Sequence, residues 1–250
     1  MEQQFNYAME IGEQMLISGA EVHRVEESVK RMCTAFGAER VDVFIITTSM
    51  VVTLHTPIGQ TLTQTRRIAA LKADYEKLHQ LNQLSRHICE GTMSNEEISA
   101  ALKEIAHVKT YPLWLEYLCY AGIAAAFTLF FGGLLAETAV SFLIGGVVRL
   151  GMGLTRRAVH NNIFIRFCSA VIATALAFLA VQLTLIPSID KVIIGNIMTL
   201  IPGIGLTNAL RDLFAGDSIA GLLRSIEAVL TALAIAAGYV LVAILGGVAL

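Results

Sequence analysis

The sequence predicts an all-α membrane protein of five transmembrane helices, one of them broken, behind an N-terminal cytoplasmic α+β domain. Three observations lead there. The 250 residues are 55% apolar and only 15% charged, whereas soluble domains carry ~25% charged residues. The charge is unevenly placed, with residues 1–115 holding 11 of the 18 Lys and Arg and 14 of the 20 Asp and Glu. The stretch "GNIMTLIPGIGLTNALRDLFAGD", Gly195 to Asp217, begins as an apolar span and then meets Pro202, Gly203 and Gly205.

The soluble part is expected over 1–115. Residues 3–36 read as one helix, because Phe5, Met9, Gly12, Leu16 and Gly19, then Val22, Val25, Val29, Met32 and Phe36, recur at threes and fours. Gly37 suits its end. "VDVFIITTSMVVTLHT" and "QTLTQTRRI" are rich in β-branched residues and separated by "PIG", giving two or three antiparallel strands. A second helical pattern covers 71–90. Ser94 with Glu97 forms a capping-box signature before "EEISAALKEIAH".

The membrane part is expected over 116–250. A membrane helix needs ~20 apolar residues, and candidates lie near 117–135, 138–154, 163–186, 192–208 and 228–248, the second and fourth being short. Trp114, Tyr117 and Tyr120 fall at the first entry, where amphipathic rings favour the headgroup level. Among the short links, "TRRAVHNN" carries Arg156 and Arg157 while "LAET" has no basic residue. The positive-inside bias then places the N-terminus in the cytoplasm and the C-terminus outside.

Polar groups within these spans are the candidate functional residues. Ser141, Gly145, Arg149 and Gly153 are spaced by four and share one small-residue helix face, which turns Arg149 toward neighbouring helices. Glu227, Thr231, Ala234 and Gly238 form a similar stripe, and Arg224 can pair with Glu227 three residues on. An ionised group at mid-bilayer costs ~3 kcal/mol or more, so each needs a partner or water. Pro202 removes a backbone donor, and Gly203 and Gly205 free the chain to leave the helix. Non-helical backbone at membrane depth is tolerated inside protein or beside a watery cavity, as at transporter substrate sites. Asn196, Thr199, Thr207 and Asn208 are therefore expected to contact substrate, with Thr207 or Asn208 capping the restarted helix. Arg149 and Arg211 are candidates for a substrate carboxylate. Asp212 and Glu227 are candidates for proton or cation coupling, or for pairing those arginines.

Several classes are disfavoured. A net charge of -2 gives no nucleic-acid footprint. Cys33, Cys89, Cys119 and Cys168 form no CxxC pair and read as reduced packing residues, so no metal or cofactor is expected. The sequence has no HExxH, GxSxG or P-loop. Glu21, Arg24 and Glu27 are a solvated helix face.

"SGAEVHRVEESVKRMC" (18–33), the short β region, "YPLWL" (111–115) and "LIPGIGLTNALRDLFAGD" (200–217), in that order, resemble the threonine/serine exporter (ThrE-like) family. That family includes two-subunit exporters of succinate-type dicarboxylates. The resemblance covers nearly the whole chain and implies a cytoplasmic domain with about five spans. It also implies a second, smaller membrane component, fused behind or encoded separately. This chain resembles the separate large subunit. Where family members often carry proline, it has Gly205. The expectation is an inner-membrane exporter subunit for small polar metabolites, driven by an ion gradient and not an enzyme; self-association stays open. A membrane-embedded hydrolase and a non-transporting assembly or sensor subunit are the alternatives.

Overall fold

The computed structural model describes residues 1–68, 71–108 and 111–246. It confirms the fold class, an N-terminal α+β region ahead of an all-α membrane region. The chain divides into two compact units, Met1–Lys109 with Gly205–Ser225, and Thr110–Ile204 with Ile226–Leu250.

The first unit opens with α1 (Glu2–Ile17) and α2 (Val22–Ala35). The single helix expected over 3–36 is thus two helices, because the chain turns at Gly19 with φ +98°, a conformation open to glycine at little cost. Strands β1 (Arg40–Ile46), β2 (Ser49–His55) and β3 (Thr61–Arg67) form an antiparallel meander in that order. Val43 lies opposite Val52, and Val52 opposite Gln64. Alternation along β2 buries Met50, Val52 and Leu54 in a core shared with Phe5, Met9 and Met32 of the helices. Helices α3 (Tyr75–Cys89) and α4 (Asn95–Ala106) add Leu81, Leu84 and Ile98. The Ser94–Glu97 capping box is formed as expected, with Glu97 N donating to Ser94 Oγ at 3.3 Å and Ser94 N to Glu97 Oε2 at 2.7 Å. Cys33 is buried in this core, and burial pushes its thiol up to about 12.

The second unit contains α5 (Leu113–Phe130), α6 (Leu135–Ala158), α7 (Asn162–Gln182), α8 (Asp190–Met198) and the later part of α10 (Ser218–Leu245). Helix α9 (Gly203–Ala215) follows α8 after a four-residue break. Among the described residues four helices are long and apolar enough to cross a membrane, five if α8 and α9 make one broken span. The second span is not short, since α6 runs for 24 residues. "LAET", expected as a link, lies inside its first turn, and the connecting turn is 131–134. Most of "TRRAVHNN" is also helical, leaving 159–161 between α6 and α7. Residues 247 and 248, where the fifth expected span ends, lie outside the described residues.

Helix α5 is crossed closely by two others. A Cβ at Gly145 of α6 would sit 2.8 Å from the Tyr120 carbonyl oxygen. One at Gly195 of α8 would sit 2.7 Å from the Ala124 carbonyl oxygen and 2.0 Å from Thr128 Oγ1. Both glycines let backbones meet, the usual basis of helix association in lipid. Outward faces carry exposed apolar side chains such as Phe130, Leu135, Leu143 and Leu233.

Candidate functional site

The stripe on α6 organises the polar groups of the second unit. Glu137, Ser141, Gly145 and Arg149 recur every fourth residue, so they lie on one face of the helix. Ser141 Oγ is 2.7 Å from Thr128 Oγ1 on α5, and Asn196 Nδ2 on α8 donates to it at 2.9 Å and to the Val192 carbonyl at 3.0 Å. Thr128 Oγ1 also lies 2.9 Å from the Ala124 carbonyl. One hydroxyl proton cannot serve both of its contacts, so Thr128 donates in one and Ser141 in the other. All three side chains are buried. Asn196 Oδ1, and Thr174 Oγ1 on α7, have no hydrogen-bond partner among the described residues. Such atoms in an apolar bundle mark places where water or a polar solute gains most.

Further along the same face, Arg149 Nε donates to Glu116 Oε2 at 3.1 Å, and Nη2 meets the same oxygen. The guanidinium carbon lies 5.6 Å from the Tyr117 ring centre and 5.8 Å from that of Tyr120, within cation–π range. These groups, with Arg156 and Arg157, line a cavity of about 340 Å³. Three guanidiniums against one carboxylate leave it with an excess of positive charge, suited to a small anion. Arg149 faces neighbouring helices as its stripe predicts, but it already holds a carboxylate belonging to the chain.

The break in the fourth span falls at 199–202, ahead of Gly203. Gly203 and Gly205 therefore lie inside α9, and Thr207 and Asn208 sit in its second turn, not at its cap. Pro202 is half-buried and Gly203, Gly205 and Thr207 are exposed. Thr199 Oγ1 donates back to the Asn196 carbonyl at 2.7 Å.

The rest of the motif belongs to the first unit, where it meets the α1–α2 turn. Helix α2 has no local side-chain cap at Glu21. Val22 N donates to Asp212 Oδ1 at 3.1 Å, so a residue 190 positions away caps it. Arg224 Nη1 lies 3.0 Å from Asp212 Oδ2, with side-chain exposures of 8% and 0%, and Arg224 Nη2 donates to the Ala20 carbonyl at 3.1 Å. Asn208 Nδ2 donates to the Gly19 carbonyl at 3.2 Å, and Arg211 pairs with Glu21 at 2.6 Å. The expected Arg224–Glu227 pair is thus replaced by Arg224–Asp212, since the carboxylate of α9 also satisfies a helix N-terminus. Glu227 is exposed on α10, where its carbonyl accepts from Thr231 Oγ1 at 2.8 Å.

The sequence-predicted residues therefore fall into separate groups. Asn196 joins Thr128 and Ser141, Arg149 joins Glu116, and Asn208, Arg211 and Asp212 join the α1–α2 turn. Glu116, Thr128 and Glu137 were not singled out. Glu137 was legible, standing four residues before Ser141 on the same stripe. Among the described residues no group of three His, Cys, Asp or Glu is placed to hold a metal ion.

The family model described as "Putative threonine/serine exporter" matches residues 6–246. The chain belongs to the threonine/serine exporter family. Within it, the "Probable succinate transporter subunit YjjP" of Klebsiella aerogenes is 26% identical over 230 residues, 91% of this chain and 88% of that protein. The "Probable threonine/serine exporter" of Mycobacterium tuberculosis is 27% identical over 219 residues, 86% of this chain. The chain spans only 41% of that mycobacterial relative. No solved structure gives a significant match. Family membership and the long apolar helices make this a multi-pass membrane transporter of that family.

Proposed function

We propose that the chain is the large subunit of an inner-membrane secondary exporter of small carboxylates, working with a second, smaller membrane subunit. The observation that carries this reading is the cationic cavity around Arg149 at one end of the α6 polar stripe. A substrate carboxylate competes with Glu116 for the Arg149 fork, and Tyr117 and Tyr120 hold the guanidinium in place. Arg156 and Arg157 draw the anion toward the cavity and, by the positive-inside bias, set that end and the N-terminus in the cytoplasm. The substrate then passes the Ser141–Thr128–Asn196 cluster, while the Thr199–Pro202 break lets the fourth span change shape.

The excess positive charge favours a dicarboxylate over a zwitterionic hydroxy amino acid, whose ammonium group meets a single carboxylate, Glu116, among the described lining residues. The name of the Klebsiella relative, which this chain matches nearly end to end, supports the same choice. The test is export of labelled succinate, threonine and serine from vesicles holding this chain with and without the second subunit. Succinate is expected to move fastest, and only with both subunits present. Movement of none of the three with both subunits present would reject the transport reading, and full export by this chain alone would reject the two-subunit one.

A further inference from the structure

We propose that Glu137 is the group through which protons drive the transport described above, and that its charge state governs the attachment of the α7–α8 connection to α6. The inference rests on the exporter reading. Glu137 lies in a membrane helix and is only 3% exposed. Its Oε2 accepts from Leu134 N at 2.8 Å, a helix-capping contact. Its Oε1 accepts from Ser188 Oγ at 2.9 Å, 51 residues away. Capping accounts for the first oxygen alone. The second is committed to the connection that leads into α8, the first half of the broken span.

No ion pair to Glu137 exists among the described residues, although ionisable groups inside a membrane usually find one. On α5 nothing titratable lies beyond Tyr120, and the 131–134 turn has none. The second half of α7 likewise has none. On the α7–α8 side stand Asp190, exposed, and Lys191, half-buried, and α10 offers Tyr239, half-buried. None of these salt-bridges the carboxylate. It is held by two neutral donors, about 18 Å along α6 from Arg149 at 1.5 Å per residue.

A proton taken from water at that end adds to one carboxylate oxygen and leaves a neutral acid. Leu134 N–H keeps the other oxygen as acceptor. The Ser188 hydroxyl then faces a donor in place of an anion, and a charge-assisted bond becomes a neutral one of roughly half the strength. The connection loosens and frees α8 to move. Loss of the proton to water on the other side restores the carboxylate and the bond.

The experiment uses inside-out vesicles from cells carrying the complete exporter, with this chain as wild type, Glu137→Gln, Glu137→Asp or Ser188→Ala. Labelled succinate is the probe and threonine the second. Exchange without a gradient and accumulation under an imposed pH gradient are measured side by side. One coupled proton supports about tenfold accumulation per pH unit. Glutamine can accept from Leu134 N through its oxygen and donate to Ser188 Oγ through its amide, as the protonated acid does, but it cannot ionise, so Glu137→Gln should retain exchange and lose gradient-driven accumulation. Glu137→Asp should recover coupling with a displaced pH profile, and Ser188→Ala, which removes the bond that the proton controls, should retain exchange and lose most of the gradient-driven accumulation. Wild-type accumulation and pH dependence in Glu137→Gln overturn the proposal, as does equal loss of exchange in Gln and Asp, which marks a purely structural residue. Absence of exchange in the wild type with both probes rejects the exporter reading itself.

Discussion

Replacing Asp212 by alanine tests whether the two family motifs depend on each other. Asp212 caps α2 through Val22 N and neutralises Arg224. Loss of a cap costs about 1 kcal/mol. Breaking a buried ion pair costs about 3–5 kcal/mol, because one charge is left uncompensated, and Arg224 is nearly as enclosed as its partner. The two losses share one side chain and do not add fully, so about 4 kcal/mol is expected. For a unit of roughly 130 residues this corresponds to a fall of about 15 °C in midpoint. The assay is thermal unfolding of the detergent-solubilised chain, followed by hydrogen exchange in the α2 peptide. Asp212→Leu combined with Arg224→Met removes both charges and should recover most of the loss, leaving mainly the cap. The reasoning fails if Asp212→Ala costs under about 1 kcal/mol, or if the double variant falls by the sum of the singles.

Three further outcomes are expected. Arg149→Gln should abolish export in a folded, inserted protein, Arg149→Lys should keep part of it because charge survives without the bidentate fork, and Arg166→Gln should be tolerated; normal export by Arg149→Gln would hand the anion role to Arg156 or Arg157 of the same cavity. With the four native cysteines removed, single cysteines at Thr199, Gly203 and Asn208 should react with an impermeant thiol reagent, and substrate should slow the reaction at Thr199; three unreactive sites would mark a sealed kink. Burial raises the pKa of Glu26, against the opposing effect of its bond from Ile45 N. Its protonated form is therefore favoured by folding, a contribution present below the unfolded glutamate pKa and lost as pH rises through the folded value. Glu26→Gln should accordingly flatten the decline in unfolding midpoint above pH 4.5, and an unchanged slope would assign that decline elsewhere.

Local rules carried much of the fold. The alternation of β2, the Ser94–Glu97 box and the apolar spans were legible because each is written in neighbouring residues. The turn at Gly19 was missed because the apolar repeat continues in register across it, and only a positive φ separates the helices. The ends of α6 were misplaced for a related reason. Glu137 and Arg156 look like loop residues until a cap and a cavity give them partners. The face of α6 on which Arg149 lies was legible from its stripe, since spacing alone fixes a helix face. The bond of Arg149 to Glu116 was not, and neither was the link from Asp212 to Val22, because a one-dimensional pattern does not say which distant polar groups meet. Pro202 pointed correctly to a broken span, while Gly203 and Gly205 proved compatible with a helix once it restarted.

The cap on α2 also sets an order of events during synthesis. Residues 1–109 leave the ribosome long before α9, and about 100 more must follow before Asp212 emerges. At translation rates of roughly 5–20 residues per second that interval lasts about 5–20 s. Throughout it the α1–α2 turn has neither its carboxylate nor Arg224, while α5 to α8 are being delivered to the membrane. The N-terminal region therefore reaches its final form only after most of the spans exist. A nascent chain arrested before residue 212 should show α2 open to protease, and one arrested beyond residue 224, with enough further chain to clear the ribosome, should show it closed.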